Sequence, residues 1–149
     1  MERYDERHEG APALIGRSLI ALIFLLAGLS KLADFQGTQE YMAAHGMSYT
    51  AVFLVAAIAI EVLGALALLL GLRTRFVAGV LVAYLVPVTM IFHGYWTLTG
   101  PEMQVQVQAF LKNIAIMGGL LVVAAYGPGR VSVDKRITAP RHGRRVAST

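Results

Sequence analysis

The sequence predicts an all-α integral membrane protein, four transmembrane helices in an antiparallel bundle. Three observations predict it. Four apolar runs are each close to the roughly 20 residues that a helix needs to cross a hydrocarbon core. Hydrophobic residues make up 56% of the chain and charged ones 15%, where soluble domains carry about 25% charged residues. The basic residues gather at the two ends and in one tight turn, so membrane orientation accounts for the net charge of +4 better than nucleic-acid binding does. A length of 149 residues suits one domain.

Residues 1–12, MERYDERHEGAP, mix acids with arginines and read as a cytoplasmic N-terminal tail. The first span covers 13–33. Its AGLSKLA end resembles a signal-peptide cleavage region, but the mixed-charge start and the length of the run favour a retained helix. Arg17 and Lys31 lie near its opposite ends, where long stems can snorkel to headgroups. Thr38, QEYMAAH and Gly46 read as a short surface helix with an N-cap and a glycine stop. The second span, 51–72, is the most apolar, and its only strongly polar side chain is Glu61. Its thirteen Leu, Ile, Val and Phe residues supply about −6 kcal/mol of insertion free energy against roughly +3 for a central acid, so insertion carries Glu61 to mid-depth.

The connection through Arg73, Thr74 and Arg75 is too short for anything but an antiparallel hairpin. The third span, 76–94, contains Pro87, which removes a backbone hydrogen bond. Tyr95 and Trp96 follow as interface aromatics. The fourth span is placed at 110–126. A start at Phe110 leaves Lys112 about 3 Å below the outer edge, whereas a start near Met103 carries it about 13 Å down, level with Glu61. Residues 130–149 form a basic cytoplasmic tail, either solvated or resting on anionic lipid. Counting Lys and Arg gives eleven on the side of the termini and two, Lys31 and Lys112, on the other; both termini are therefore placed in the cytoplasm.

The chain has no cysteine, which excludes disulfides, thiol relays, iron–sulfur clusters and cysteine-held metals within it. Its four histidines fall in separate segments without metal-ligand spacing, so no metal site is expected. The candidate ligand-binding or proton-linked residues are Glu61, His93, Lys112, Asn113 and Lys31, brought from four helices to the outer half of the bundle. A carboxyl group in hydrocarbon is protonated, paired or turned to a wet cavity, and Lys112 is the charge partner this reading assigns to Glu61. Each residue also has a plainer reading: Lys31 and Lys112 snorkel, or Lys31 pairs with Asp34, and His93 is an interfacial histidine. Titratable groups around an apolar cavity with aromatic edges suit proton-coupled binding of a quinone-like ring.

The pieces GRSLIALIFLLAGLSKLADF (16–35), IAIEVLGALALLLGLRTR (58–75), IFHGYW (91–96), FLKNIAIMGGLL (110–121) and GPGRVSVD (127–134), in that order, resemble the DoxX family of small bacterial inner-membrane proteins. The resemblance implies a four-helix membrane fold in the bacterial inner membrane. It also implies kinship with DoxD, the small membrane subunit linked to a thiosulfate:quinone oxidoreductase. The family's recurring polar residues fall on Lys31, Glu61, Arg73, His93, Lys112 and Asn113. The resulting expectation is an accessory or quinone-interacting subunit of a membrane redox system, whose partners are the lipid bilayer and a redox protein or further copies of the chain. The alternative is a non-catalytic structural or small-solute-handling membrane protein.

Overall fold

The computed structural model describes residues 10–138. Among them lie six helices: α1 (Gly10–Ala33), α2 (Phe35–Ala44), α3 (Thr50–Leu70), α4 (Thr74–Phe92), α5 (Gly100–Tyr126) and α6 (Val133–Thr138). Helices α1, α3, α4 and α5 are long and apolar enough to cross a membrane. They run alternately up and down, so the chain is an all-α multi-pass membrane protein. Neighbours pack in the order α1, α3, α4, α5, and α5 closes the ring on α1.

Each span turns a narrow stripe inward although its sequence is apolar on all sides. In α1 the stripe is Arg17, Ala21, Phe24 and Gly28; in α3 it is Leu54, Glu61, Ala65 and Leu68. Helix α4 contributes Thr74, Ala78, Leu81, Leu85 and Thr89, and α5 contributes Asn113, Ile116 and Leu120. Steps of three, four and seven residues keep one face of a helix on its partners. Small residues let the backbones approach. A Cβ on Gly28 would lie 2.7 Å from Val62 Cγ2 and 3.3 Å from Glu61 Cβ, so α1 meets α3 closely only because position 28 has no side chain.

The α3–α4 hairpin is as tight as the sequence requires. Gly71 takes φ +69°, the left-handed conformation that glycine adopts freely, and the Leu72 amide returns to Ala67 O at 2.9 Å. Arg73 is also left-handed, at φ 43°.

Three sequence expectations are corrected. The short helix starts at Phe35, because Asp34, not Thr38, caps it: Asp34 Oδ1 accepts from the Gly37 amide at 3.1 Å. Asp34 is thus engaged at that cap and is not the partner of Lys31. The last span starts at Gly100, ten residues earlier than position 110. Pro101 stands in its first turn, where a missing amide costs nothing, and Glu102 faces the positive end of the helix dipole. The alternation of MQVQVQ is therefore the polar first turns of a helix that extends beyond the apolar layer.

The third correction concerns the C-terminal segment. Residues 1–9 and 139–149 of the two expected tails lie outside the described residues, but 130–138 do not hang free. Ser132 is buried, its hydroxyl accepts from the Lys135 amide at the start of α6, and Asp134 docks on the α3–α4 turn. Arg17, expected to snorkel, is 2% exposed. Its guanidinium donates to Pro128 O at 2.9 Å, Val131 O at 3.0 Å and Leu69 O at 3.4 Å, tying α1 to the end of α3 and to the segment after α5. This end, which also carries Arg73, Arg75, Arg130, Lys135 and Arg136, is called the basic end below.

Candidate functional site

The site lies towards the other end of the bundle. Glu61 is 4% exposed, and its carboxylate accepts both N–H bonds that Lys31 Nζ directs at it, 2.8 Å to Oε1 and 2.8 Å to Oε2. Tyr84 Oη donates to Oε1 at 2.7 Å. Three helices thus converge on one carboxylate: α1 through Lys31, α3 through Glu61 and α4 through Tyr84. Gly28, one turn before Lys31 on the same face, sets the distance between α1 and α3.

Lys31, not Lys112, is the charge partner of Glu61. Long helical side chains lean towards the N-terminus of their own helix. The N-terminus of α1 is at the basic end, so the Lys31 stem leans back towards mid-bundle and reaches Glu61. The N-terminus of α5 is at the cavity end, so Lys112 leans the opposite way, away from mid-bundle. Lys112 also lies fourteen residues from Tyr126, roughly 21 Å, whereas Glu61 is nine residues from Leu70, roughly 14 Å. It stands more than a turn further from the basic end and on the exposed side of α5.

Above the carboxylate is a cavity of about 390 Å³, within the range of about 300–1,000 Å³ usual for small-molecule pockets. Lys31 and Tyr84 stand at its floor, and its walls are Leu54, Ala57, Val88 and Phe92, with Tyr41 and Met42 of α2 over them. The short helix is therefore a roof and not merely a surface element. Met42 is buried, Tyr41 stacks on Phe92 with ring centroids 5.6 Å apart, and His45 approaches Phe92 at 5.2 Å. Phe53, Pro87 and Ile91 line the cavity yet are exposed at the flank of the bundle. On a membrane-spanning pair of helices that flank faces lipid.

His93 closes α4 and lines the same cavity, its Nδ1 2.9 Å from Gln106 Oε1 of α5. Asn113 is brought elsewhere: it is buried and donates to Thr89 Oγ1 at 3.0 Å, a polar link between α4 and α5. Tyr95 and Trp96 form an aromatic cluster with Phe110, the Tyr95 ring edge-on to Phe110 at 5.4 Å. The structure thus gathers Lys31 and His93 at one cavity, with Glu61 bonded to Lys31 and Tyr84 but not itself lining it, and leaves Lys112, Asn113, Tyr95 and Trp96 outside.

Tyr84 was not among the sequence candidates. Its signal was there: it is the lone tyrosine inside the third apolar run, three residues before Pro87. A phenol carried to mid-span needs an acceptor, as a buried carboxyl needs a donor. Arg17 and Asp134 were missed as well. The Asp134 carboxylate accepts from the Arg73 amide at 2.7 Å, the Thr74 amide at 2.9 Å and the Thr74 hydroxyl at 3.0 Å, capping the start of α4. Burial pushes its pKa up, but these hydrogen bonds and the nearby Arg17 charge outweigh that and hold it below the usual carboxylate value.

Chemically, the floor of the cavity is a set of donors held ready by an anion. An ammonium group has three N–H donors, and Glu61 takes two of those on Lys31. The third is not used by Glu61, and Lys31, whose side chain is 28% exposed, lines the cavity. Glu61 and Tyr84 supply a carboxylate and a phenol in direct contact, a short path along which a proton can move.

Comparison with known proteins agrees with this architecture. The DoxX family model matches residues 13–94. The chain is 36% identical to the inner membrane protein YphA of Escherichia coli (strain K12) over 83% of its length and 88% of that protein. It is 33% identical to the inner membrane protein YqjF of the same organism, over 85% of this chain and 92% of that one. The Surfeit locus protein 4 homolog of Drosophila melanogaster is 27% identical over 82% of this chain, which spans 39% of that longer protein. No solved structure matches.

Proposed function

From the premise that the chain belongs to the DoxX family, as an inner-membrane protein with four spans, we propose that it is an accessory, quinone-interacting subunit of a membrane redox system. The observation that carries this reading is the apolar cavity with Lys31 and Tyr84 at its floor, both bonded to the buried Glu61 carboxylate. A quinone head group is a flat apolar ring with carbonyl oxygens. Such a ring entering from the bilayer would fill the walls formed by Ala57, Val88 and Phe92 and place one carbonyl on the spare N–H of Lys31. Tyr84 and Glu61 would hold and pass the proton that accompanies electron arrival at that oxygen. The electrons belong to a partner, which makes the chain accessory. The basic end faces the cytoplasm in this proposal, since short basic turns and tails stay on that side.

A second reading has support in the same geometry. Glu61 is fully paired within the protein, as a structural ion pair between helices would be. Extraction of the purified protein separates the two. A binding cavity yields a quinone in the organic extract, and Ala57→Phe, which fills the cavity, abolishes it. An extract from folded wild-type protein with no more quinone than that of Ala57→Phe contradicts the quinone reading.

A further inference from the structure

The two sides of the Glu61 carboxylate are built differently. Towards α2 lies the cavity, and polar groups continue along it. The Lys31 side chain is 28% exposed, and His93 at the end of α4 and Thr38 of α2 line the cavity while being partly exposed. His93 stands nine residues beyond Tyr84, roughly 13 Å further from the basic end.

Towards the basic end the polar groups stop. Ala21 and Phe24 of α1, Ala65 and Leu68 of α3, Leu81 of α4 and Leu120 of α5 meet there in one cluster, each 0–3% exposed. Leu68 lies two turns past Glu61, so this apolar layer is roughly 10 Å thick. None of its side chains can donate or accept a proton, and its packing offers a water molecule no polar partners. Among the described residues, the charged group that follows on this side is Arg17, whose guanidinium is committed to Leu69 O, Pro128 O and Val131 O.

The titratable groups that face the floor or the cavity are Lys31 from α1, Tyr41 from α2, Glu61 from α3, and Tyr84 and His93 from α4. Helix α5 adds none, since Asn113 is bonded to Thr89 and Lys112 is on its exposed side.

We propose that the floor formed by Lys31, Glu61 and Tyr84 exchanges protons with the α2 side of the membrane alone, through the cavity and past His93, while the apolar layer closes the basic end. The chain is then a one-sided proton site and not a path for protons or small solutes across the bilayer. That a ligand's proton uses this access rests on the quinone reading above; the access itself does not.

The test places single cysteines in the full-length protein, in sealed membrane vesicles of either orientation. Gly46→Cys and Arg75→Cys, both at exposed positions, mark the two sides. The probe is a small, charged, membrane-impermeant methanethiosulfonate, which attacks a hydrated thiolate. Ala57→Cys, one turn from Glu61 on the cavity wall, should react at least about a hundredfold faster from the α2 side than from the basic side. Ala65→Cys, one turn from Glu61 in the other direction, should react from neither. An Ala57→Cys that is inert from the α2 side or reacts equally from both, or an Ala65→Cys that reacts from the basic side, would each overturn the proposal. A readout on the wild-type protein stands even if the cysteine variants fail to fold. A proton gradient should decay no faster across vesicles containing the protein than across protein-free ones, and a protein-dependent decay that is lost in Glu61→Gln would also overturn the proposal. Added quinone should slow the labelling of Ala57→Cys; one-sided labelling that quinone leaves unchanged supports the access and contradicts the quinone reading, so the two fail separately.

Discussion

One carboxylate in mid-bundle decides how three helices meet. With Lys31 and Tyr84 directed at it, Glu61 is neutralised and hydrogen-bonded, and removing either charge alone strands the other in a low-dielectric site. Glu61→Gln should therefore cost about 3 kcal/mol in detergent stability, the lower end for a buried pair because Lys31 keeps contact with the cavity. Lys31→Met combined with Glu61→Gln should cost far less than the sum of the single effects. A double-mutant cycle with an interaction of less than about 0.5 kcal/mol would show that the pair is not coupled. Gly28→Ala should cost about 1–3 kcal/mol through its clash with Val62, and Val62→Ala should restore part of that loss. The importance of Glu61 is legible in the sequence, since a lone acid in a 22-residue apolar run must be satisfied. Its partner is not legible from depth alone: two lysines are available, and the choice rests on the direction in which each helix runs, which tilts the Lys31 stem towards mid-bundle and the Lys112 stem away from it.

Among the elements, the four spans follow from apolar length, and their boundaries follow from capping chemistry that short sequence patterns describe less well. Asp34 competes with Thr38 for the cap of α2, and Pro101 starts α5 within what reads as a loop. The C-terminal segment was hardest to read, because GPGRVSVD has no apolar periodicity and becomes ordered only by docking. Asp134 caps α4, and Arg17 collects the carbonyl oxygens of Pro128 and Val131. The Asp134 pKa is held below its ordinary 3.8. A depressed carboxylate pKa gives stability that is complete above the unfolded value and lost as pH falls through the folded one. Hydrogen exchange of α6 should therefore be slow and level from neutral pH down to about pH 5, once corrected for intrinsic rates, and quicken below about pH 4. Asp134→Asn should remove that acid dependence; an unchanged pH profile in the variant would show that another group governs the docking.

At the scale of the whole molecule, the ring of four helices separates two environments, an apolar cavity roofed by α2 at one end and, at the other, the hairpin turn with the C-terminal segment docked on it. The chain has no cysteine, so single-cysteine scanning needs no background removal. With the basic end in the cytoplasm, membrane-impermeant reagent added from outside should label cysteine at Gly46 and spare cysteine at the exposed position of Arg75; the reverse pattern would invert the topology. The central claim is that the cavity floor of Lys31 and Tyr84, held by Glu61, receives the carbonyl of a lipid-soluble ring. Its most direct test is infrared spectroscopy of a carbonyl-labelled quinone in nanodiscs containing the protein. The account predicts a bound population whose carbonyl stretch is shifted to lower frequency than in protein-free bilayers and which disappears in Lys31→Met and in Ala57→Phe; a stretch identical to that of free quinone, or a shifted one that survives Lys31→Met, would contradict it.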